Sequence, residues 1–242
     1  MNEEYRLLTK LVDQLHPNST PQIGWVYRAS KHIKKSGKKL GIFSASFNPI
    51  TVAHIKMIEE AKARFELEEI LLLLAKANVD KSVFGLSLEK RLIMLKTYAM
   101  CRENFSVAAC SHGRYIDKIE ALKAVYPLNT QFSFIVGYDT LVRIFDPKYY
   151  TSLHAELETL FQQCRFIAAN RKEHGVNSVK QFLAAPAHQR YASYIDLIEL
   201  SSSYAELSST EIRTRIQRGE SINQLVPHEV QEYLKTCHAY QS

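Results

Sequence analysis

Short apolar runs alternate along the chain with stretches whose apolar positions recur every three or four residues. The runs KLGIFSA (39–45), EILLLLA (69–75), FSVAAC (105–110), QFSFIVG (131–137), RFIAAN (165–170) and YIDLIEL (194–200) predict strands. Helical spacing falls near 52–65, 87–101, 115–125, 152–162 and 176–185, with two further helices at 209–219 and 227–237. An N-terminal helix over roughly residues 3 to 15 is followed by the turn-forming string HPNSTPQ and a lysine-rich stretch. Strand and helix taking turns through such short connections predict an α/β fold. Right-handed crossovers put helices on both faces of a doubly wound parallel sheet, here with a helical portion at the C-terminus. The division expected is residues 1–37 as helix and basic linker and residues 38–242 as one domain. In such sheets ligands gather at the carboxyl ends of the strands, so the residues just after each strand carry the interest.

Composition narrows the picture. The 242 residues are 46% hydrophobic and 23% charged, ordinary globular material with no apolar run long enough to span a bilayer. The acidic, amphipathic N-terminus is unlike a targeting segment, so a cytoplasmic protein is expected, with the nucleus left open. Cys101, Cys110, Cys164 and Cys237 are scattered, which predicts free thiols rather than disulfides or a zinc site. A net charge of +6 suits polyanionic small molecules; it would also suit weak nucleic-acid affinity, which the sequence does not otherwise favour. The run Lys31, Lys34, Lys35, Lys38 and Lys39 is either a solvated lead-in to the first strand or an attractor of phosphates.

The string GIFSASFNPITVAH, residues 41–54, runs from the first strand through a small-residue turn into a helix. Ser44, Ala45 and Ser46 let a ligand approach the backbone, Pro49 stiffens the turn, and the next helix offers its positive end to an anion, with His54 in its first turn. Near the other end of the chain, Ser208, Ser209 and Thr210 precede a second helix as an N-cap would. Arg213 lies one helical turn beyond Thr210, so hydroxyls, amides and a guanidinium can meet at one phosphate.

These two strings resemble the signature loops of the [HT]-x-G-H nucleotidyltransferase superfamily, within it the nicotinamide/nicotinate mononucleotide adenylyltransferase family, and are most similar to the nicotinamide mononucleotide adenylyltransferases of eukaryotic type. Thr51 and His54 hold the ends of the first motif, with Ala53 and Ala45 where glycine is usual. Ser208, Thr210 and Arg213 meet the second, S-x-T-x-x-R, and the similarity continues through IRTRIQRGESINQLVPHEVQEYL. In between, GYDTL resembles a G-x-D-x-L segment and is followed by a proline and aromatics. The resemblance implies a single Rossmann-like domain over 38–242. Its catalytic residues would be His54, Arg213 and Thr51, and ATP would be bound by Ser46, Phe47, His54, Gly137, Asp139, Ser208, Thr210 and Arg213. Ser46, Phe47, Lys81, Tyr150 and Arg171 would bind the second substrate. Arg91 falls in a helix, LEKRLIML, that resembles a family helix and is otherwise core.

What the resemblance implies chemically is transfer of AMP from ATP to nicotinamide mononucleotide, and also to the nicotinate form, releasing pyrophosphate. Mg²⁺ would be bound through the ATP phosphates, with no metal ligand from the protein. ATP and a pyridine mononucleotide are then the partners, without membrane or nucleic acid; a homo-oligomer is left open. Where relatives carry a tryptophan over the pyridine ring, this chain has His112, Arg114 and Tyr115. Two alternatives remain: another phosphate monoester as acceptor of an adenylyl or cytidylyl group, and, given Ala45 and Ala53, an inactive nucleotide-binding regulator.

Overall fold

The computed structural model describes residues 3–77, 85–171 and 174–240. Lys81 lies outside the described residues. The chain begins with α1 (Glu3–Gln14) and β1 (Ile23–Tyr27). Then β2 (Lys39–Ser44), α2 (Val52–Phe65), β3 (Glu69–Ala75), α3 (Leu88–Met100), β4 (Phe105–Cys110) and α4 (Tyr115–Lys123) alternate. The second half runs β5 (Gln131–Gly137), α5 (Tyr138–Ile144), α6 (Leu153–Phe161), β6 (Cys164–Ala169), α7 (Val176–Ala184) and β7 (Ile195–Ile198). Three helices close it: α8 (Ser202–Ala205), α9 (Ser209–Gln217) and α10 (His228–Thr236).

The strands form one sheet in the order β1-β4-β3-β2-β5-β6-β7, parallel throughout except for β1. Because the middle strands are covered on both faces, their residues are buried whichever way they point. Ile70, Leu72 and Leu74 of β3 face a core shared with α1, α2, α3, α9 and α10. Leu71 and Leu73 face the opposite core, closed by α4, α5, α6 and α7. The fold is thus the α/β doubly wound sheet with helices on both faces that the alternation implies.

Three elements stand beyond the sequence reading: β1, α5 and the four-residue α8. The stretch taken as a basic linker contains β1, which pairs antiparallel with β4, Ile23 opposite Cys110; its sequence IGWVY is apolar but short, and it sits between a turn-forming string and the lysine-rich stretch. Helix α5 starts directly at the end of β5 and is only seven residues long, too short to display a period. The linker is further tied down by Glu69, a fully buried carboxylate that accepts from Ile33 N–H (2.8 Å), Ser106 Oγ (2.5 Å) and Tyr126 Oη (3.0 Å). Of its lysines, Lys31, Lys38 and Lys39 pair with Glu103, Glu68 and Glu66. Those three therefore act as a solvated lead-in to β2.

Candidate active site

Chain order reverses between β2 and β5: β3 and β4 lie to one side, β6 and β7 to the other. At such a switch point the loops leaving neighbouring strands part in opposite directions and open a crevice at their carboxyl ends. The loop after β2, residues 45–51, and the Gly137 end of β5 border this crevice.

Thr51 caps α2 in extended backbone (φ −121°, ψ 165°) and forms a reciprocal capping box with His54. The Thr51 N–H donates to His54 Nδ1 at 3.0 Å, the hydroxyl lies 2.9 Å from the same nitrogen, and His54 N–H reaches Thr51 Oγ1 at 3.4 Å. A ring nitrogen that accepts from a backbone amide carries no proton, so the proton of the neutral ring sits on Nε2. Burial among the rings of Phe43 and Phe47, then the charge of Arg171, push the His54 pKa down to about 3. At neutral pH the ring is an uncharged donor.

The second loop docks directly on the first. Arg213 Nη1 donates to the Asn48 carbonyl (2.8 Å) and Ser209 Oγ to the Pro49 carbonyl (2.8 Å). From the other side, Arg91 Nη1 donates to the Ser46 carbonyl at 2.7 Å. In a trans peptide, C=O and N–H point in opposite directions. Binding the carbonyls of Ser46 and Pro49 therefore turns the amides of Phe47 and Ile50 away from these donors. Phe47 holds φ +43° and is buried as a whole residue, at 1% exposure. Ser46 beside it is exposed.

The helix starts have fewer free amides than sequence suggests. Val52 N–H donates to the Leu225 carbonyl (3.0 Å) and His54 N–H to its cap, which leaves Ala53 N–H from the first turn of α2. At α9, Ser208 Oγ accepts from Glu211 N–H (3.2 Å), so Ser208 is engaged as the cap. Thr210 Oγ1 accepts from Arg213 Nη2 at 3.1 Å, which brings together the hydroxyl and guanidinium expected to converge.

Across the crevice, Asp139 in the first turn of α5 lies 3.6 Å from Arg171, which follows β6 and makes paired backbone bonds with His174. A Cβ at Gly137 would meet Arg171 Cδ at 3.7 Å, ordinary contact, so the protein alone does not demand glycine there. His54, Asp139 and Arg171 thus stand together.

The region expected to hold the second substrate is built differently. Tyr150 Oη donates to the Ile144 carbonyl (2.5 Å) and its ring packs on the core. Arg114 forks onto Asp117 (3.1 Å for both bonds) and reaches Glu156 at 3.0 Å, while His112 Nδ1 lies 2.8 Å from Ser111 Oγ. A substrate carboxylate would have to compete with two protein carboxylates for Arg114.

Arg91 and Asn48 emerge as supports that motif reading passed over. Arg91 is 3% exposed within the apolar face of α3, and its Nε has no partner among the described residues. For Arg91 the sequence offers the resemblance of LEKRLIML to a family helix and the oddity of an arginine inside an apolar stripe.

A doubly wound sheet with two mutually docked loops at its switch point has the layout of a nucleotide-handling protein. Residues 42–215 match the model of the family described as cytidylyltransferase-like. A protein of Citrifermentans bemidjiense, named as a probable nicotinate-nucleotide adenylyltransferase, is 30% identical over 84% of this chain and 98% of its own length. A Schizosaccharomyces pombe protein named as a nicotinamide mononucleotide adenylyltransferase is 26% identical, over 87% of this chain and 89% of its own. In fold, the chain is similar to the Plasmodium falciparum nicotinic acid mononucleotide adenylyltransferase solved with NaAD. That match has a TM-score of 0.62 and 20% identity, over 84% of this chain and 97% of that one. The chain belongs to the nicotinate and nicotinamide mononucleotide adenylyltransferase family of nucleotidyltransferases.

Proposed function

We propose that the protein transfers the AMP moiety of ATP to a pyridine mononucleotide, nicotinamide or nicotinate, releasing pyrophosphate. The observation that carries this reading is the docking of the S-x-T-x-x-R loop onto the FNP loop, by which one triphosphate would meet donors from both ends of the chain. The acceptor's phosphate oxygen attacks the α-phosphorus, the bond to the bridging oxygen breaks, and pyrophosphate leaves with its electron pair. An ionised phosphate needs no general base, so the protein's work is positioning and charge stabilisation. His54 donates through Nε2–H to phosphate oxygens gaining charge, and the Phe47 amide and Arg213 hold the triphosphate. Arg171 supplies positive charge beside His54. Among the described residues no three His, Cys, Asp or Glu side chains stand together as metal ligands, so the residues present do not fit a protein-built Mg²⁺ cage. In this reading the ion belongs to the substrate as MgATP.

Relatives are named for both pyridine forms. With Arg114 engaged by Asp117 and Glu156, the structure offers the acid no unpaired guanidinium at that position, which supports use of both acceptors. The purified protein incubated with MgATP and each mononucleotide in turn should yield both dinucleotides. Absence of both products, with turnover of another phosphate monoester, would confine the reading to the superfamily chemistry.

A further inference from the structure

The last described residue of the chain reaches the FNP loop from outside the matched segment, which ends at residue 215. Tyr240 Oη donates to Asn48 Oδ1 at 2.6 Å, and the same oxygen takes Leu86 N–H at 3.4 Å. Asn48 is thereby held by its side chain from the C-terminal segment and by its carbonyl from Arg213. The chain turns back to make this contact: after α10, His238 and Tyr240 adopt φ +47° and +63°, and Ala239 between them is buried. Gly85 leaves room for it. Its φ is +104°, and a Cβ there would lie 2.7 Å from Tyr240 Cε1 and 3.1 Å from both Asn48 side-chain atoms. Burial raises the phenol's pKa against the opposing pull of Arg213 and Arg91, so the hydroxyl stays protonated and remains a donor.

We propose that Tyr240 is a positioning residue for the ATP site, a latch through which the C-terminal segment fixes Asn48 and hence the orientation of the FNP loop. It acts through Asn48 and does not touch the nucleotide. The latch rests on the reading that this loop holds the triphosphate. It bears first on ATP, whose triphosphate follows the direction of the loop backbone, whereas Tyr150 on the pyridine side is held by Ile144 and the core.

The test is Tyr240→Phe, which keeps the ring against Gly85 and removes one donor. ATP KM, and the Kd of a non-hydrolysable ATP analogue by calorimetry, should rise about three- to tenfold, the size of one lost net hydrogen bond. The turnover number and the KM of the pyridine mononucleotide should stay within about twofold, because neither depends on this bond. Gly85→Ala, which crowds the ring while leaving the hydroxyl, should weaken the same ligand. Unchanged analogue affinity in Tyr240→Phe, or equal weakening of both nucleotides in step with a fall in Tm, would overturn the latch and leave Tyr240 as mere packing. A wild-type protein that binds the analogue more tightly than the variant, yet forms no dinucleotide, would defeat the acceptor reading and leave the latch standing. A wild-type protein that does not bind the analogue would defeat both.

Discussion

At the switch point, the carbonyls of Ser46, Asn48 and Pro49 are bound by Arg91, Arg213 and Ser209. Around α4 and α5 the bound groups are instead the side chains themselves, Arg114 by two carboxylates and Tyr150 by a carbonyl. The first arrangement fixes the backbone of the loop through its carbonyls, which on the proposed function is the frame that meets phosphate. The second leaves few unspent polar groups, so recognition of the pyridine must come from shape and ring contact or from rearrangement. Phosphate geometry is the same for every nucleotide, and a fixed frame suits it.

The contrast is tested most severely at His54. His54→Ala removes the Nε2–H donor and should lower turnover more than tenfold, with circular dichroism unchanged; a near-normal turnover number would leave the ring as no more than a helix cap. Next in size, Arg213→Lys keeps the charge but not the planar fork spanning Asn48 and Thr210, and should change kcat/KM for ATP about fivefold or more. Kinetics within twofold of wild type would place Arg213 outside the phosphate frame.

The pyridine side should respond less. Tyr150→Phe loses a hydroxyl already committed to Ile144, so the acceptor KM should move by less than about threefold, any loss showing as lower stability. A tenfold effect confined to the acceptor would mean that Tyr150 leaves Ile144 to meet the ligand. Acid stability adds a milder test. His54 has a folded-state pKa of about 3 against an ordinary 6.5, so the unfolded chain takes up the extra proton between those values. Stability present above the ordinary value is lost as pH falls toward 3, and His54→Ala should flatten that part of the denaturation curve; equal slopes in both proteins would deny the shift. The smallest change is expected for Arg114→Gln, with the preference between nicotinate and nicotinamide mononucleotide altered by less than about twofold. A larger loss confined to the acid would show that the guanidinium abandons Asp117 and Glu156 for substrate.

Much of this was legible beforehand, for reasons that differ by region. The six parallel strands announce themselves because burial on both faces makes them nearly continuous apolar runs, EILLLLA above all. Thr51, His54, Ser208, Thr210 and Arg213 could be singled out because cap and anion chemistry demand particular residues at fixed spacing. Their mutual docking could not, since Ser209 and Pro49 meet only through the sheet's topology. Nor could Arg114 be seen as engaged: Glu156, one of its partners, comes from α6. β1 stayed hidden although IGWVY is apolar, because it is short, lies between the turn-forming HPNSTPQ and a lysine-rich stretch, and pairs with a strand far along the chain.

That antiparallel edge strand also bears on the protein's solubility and birth. β4 is buried along its whole length and would, without β1, present an open row of backbone donors and acceptors beside apolar side chains, a template for pairing with another molecule. Residues 23–27 shield it, yet they leave the ribosome long before β4 is made. Until β4 arrives, the emerging strand has no partner, and afterwards the finished sheet depends on an N-terminal segment that could be clipped by a protease. Removing the first 30 residues should therefore be felt as aggregation before it is felt as altered chemistry.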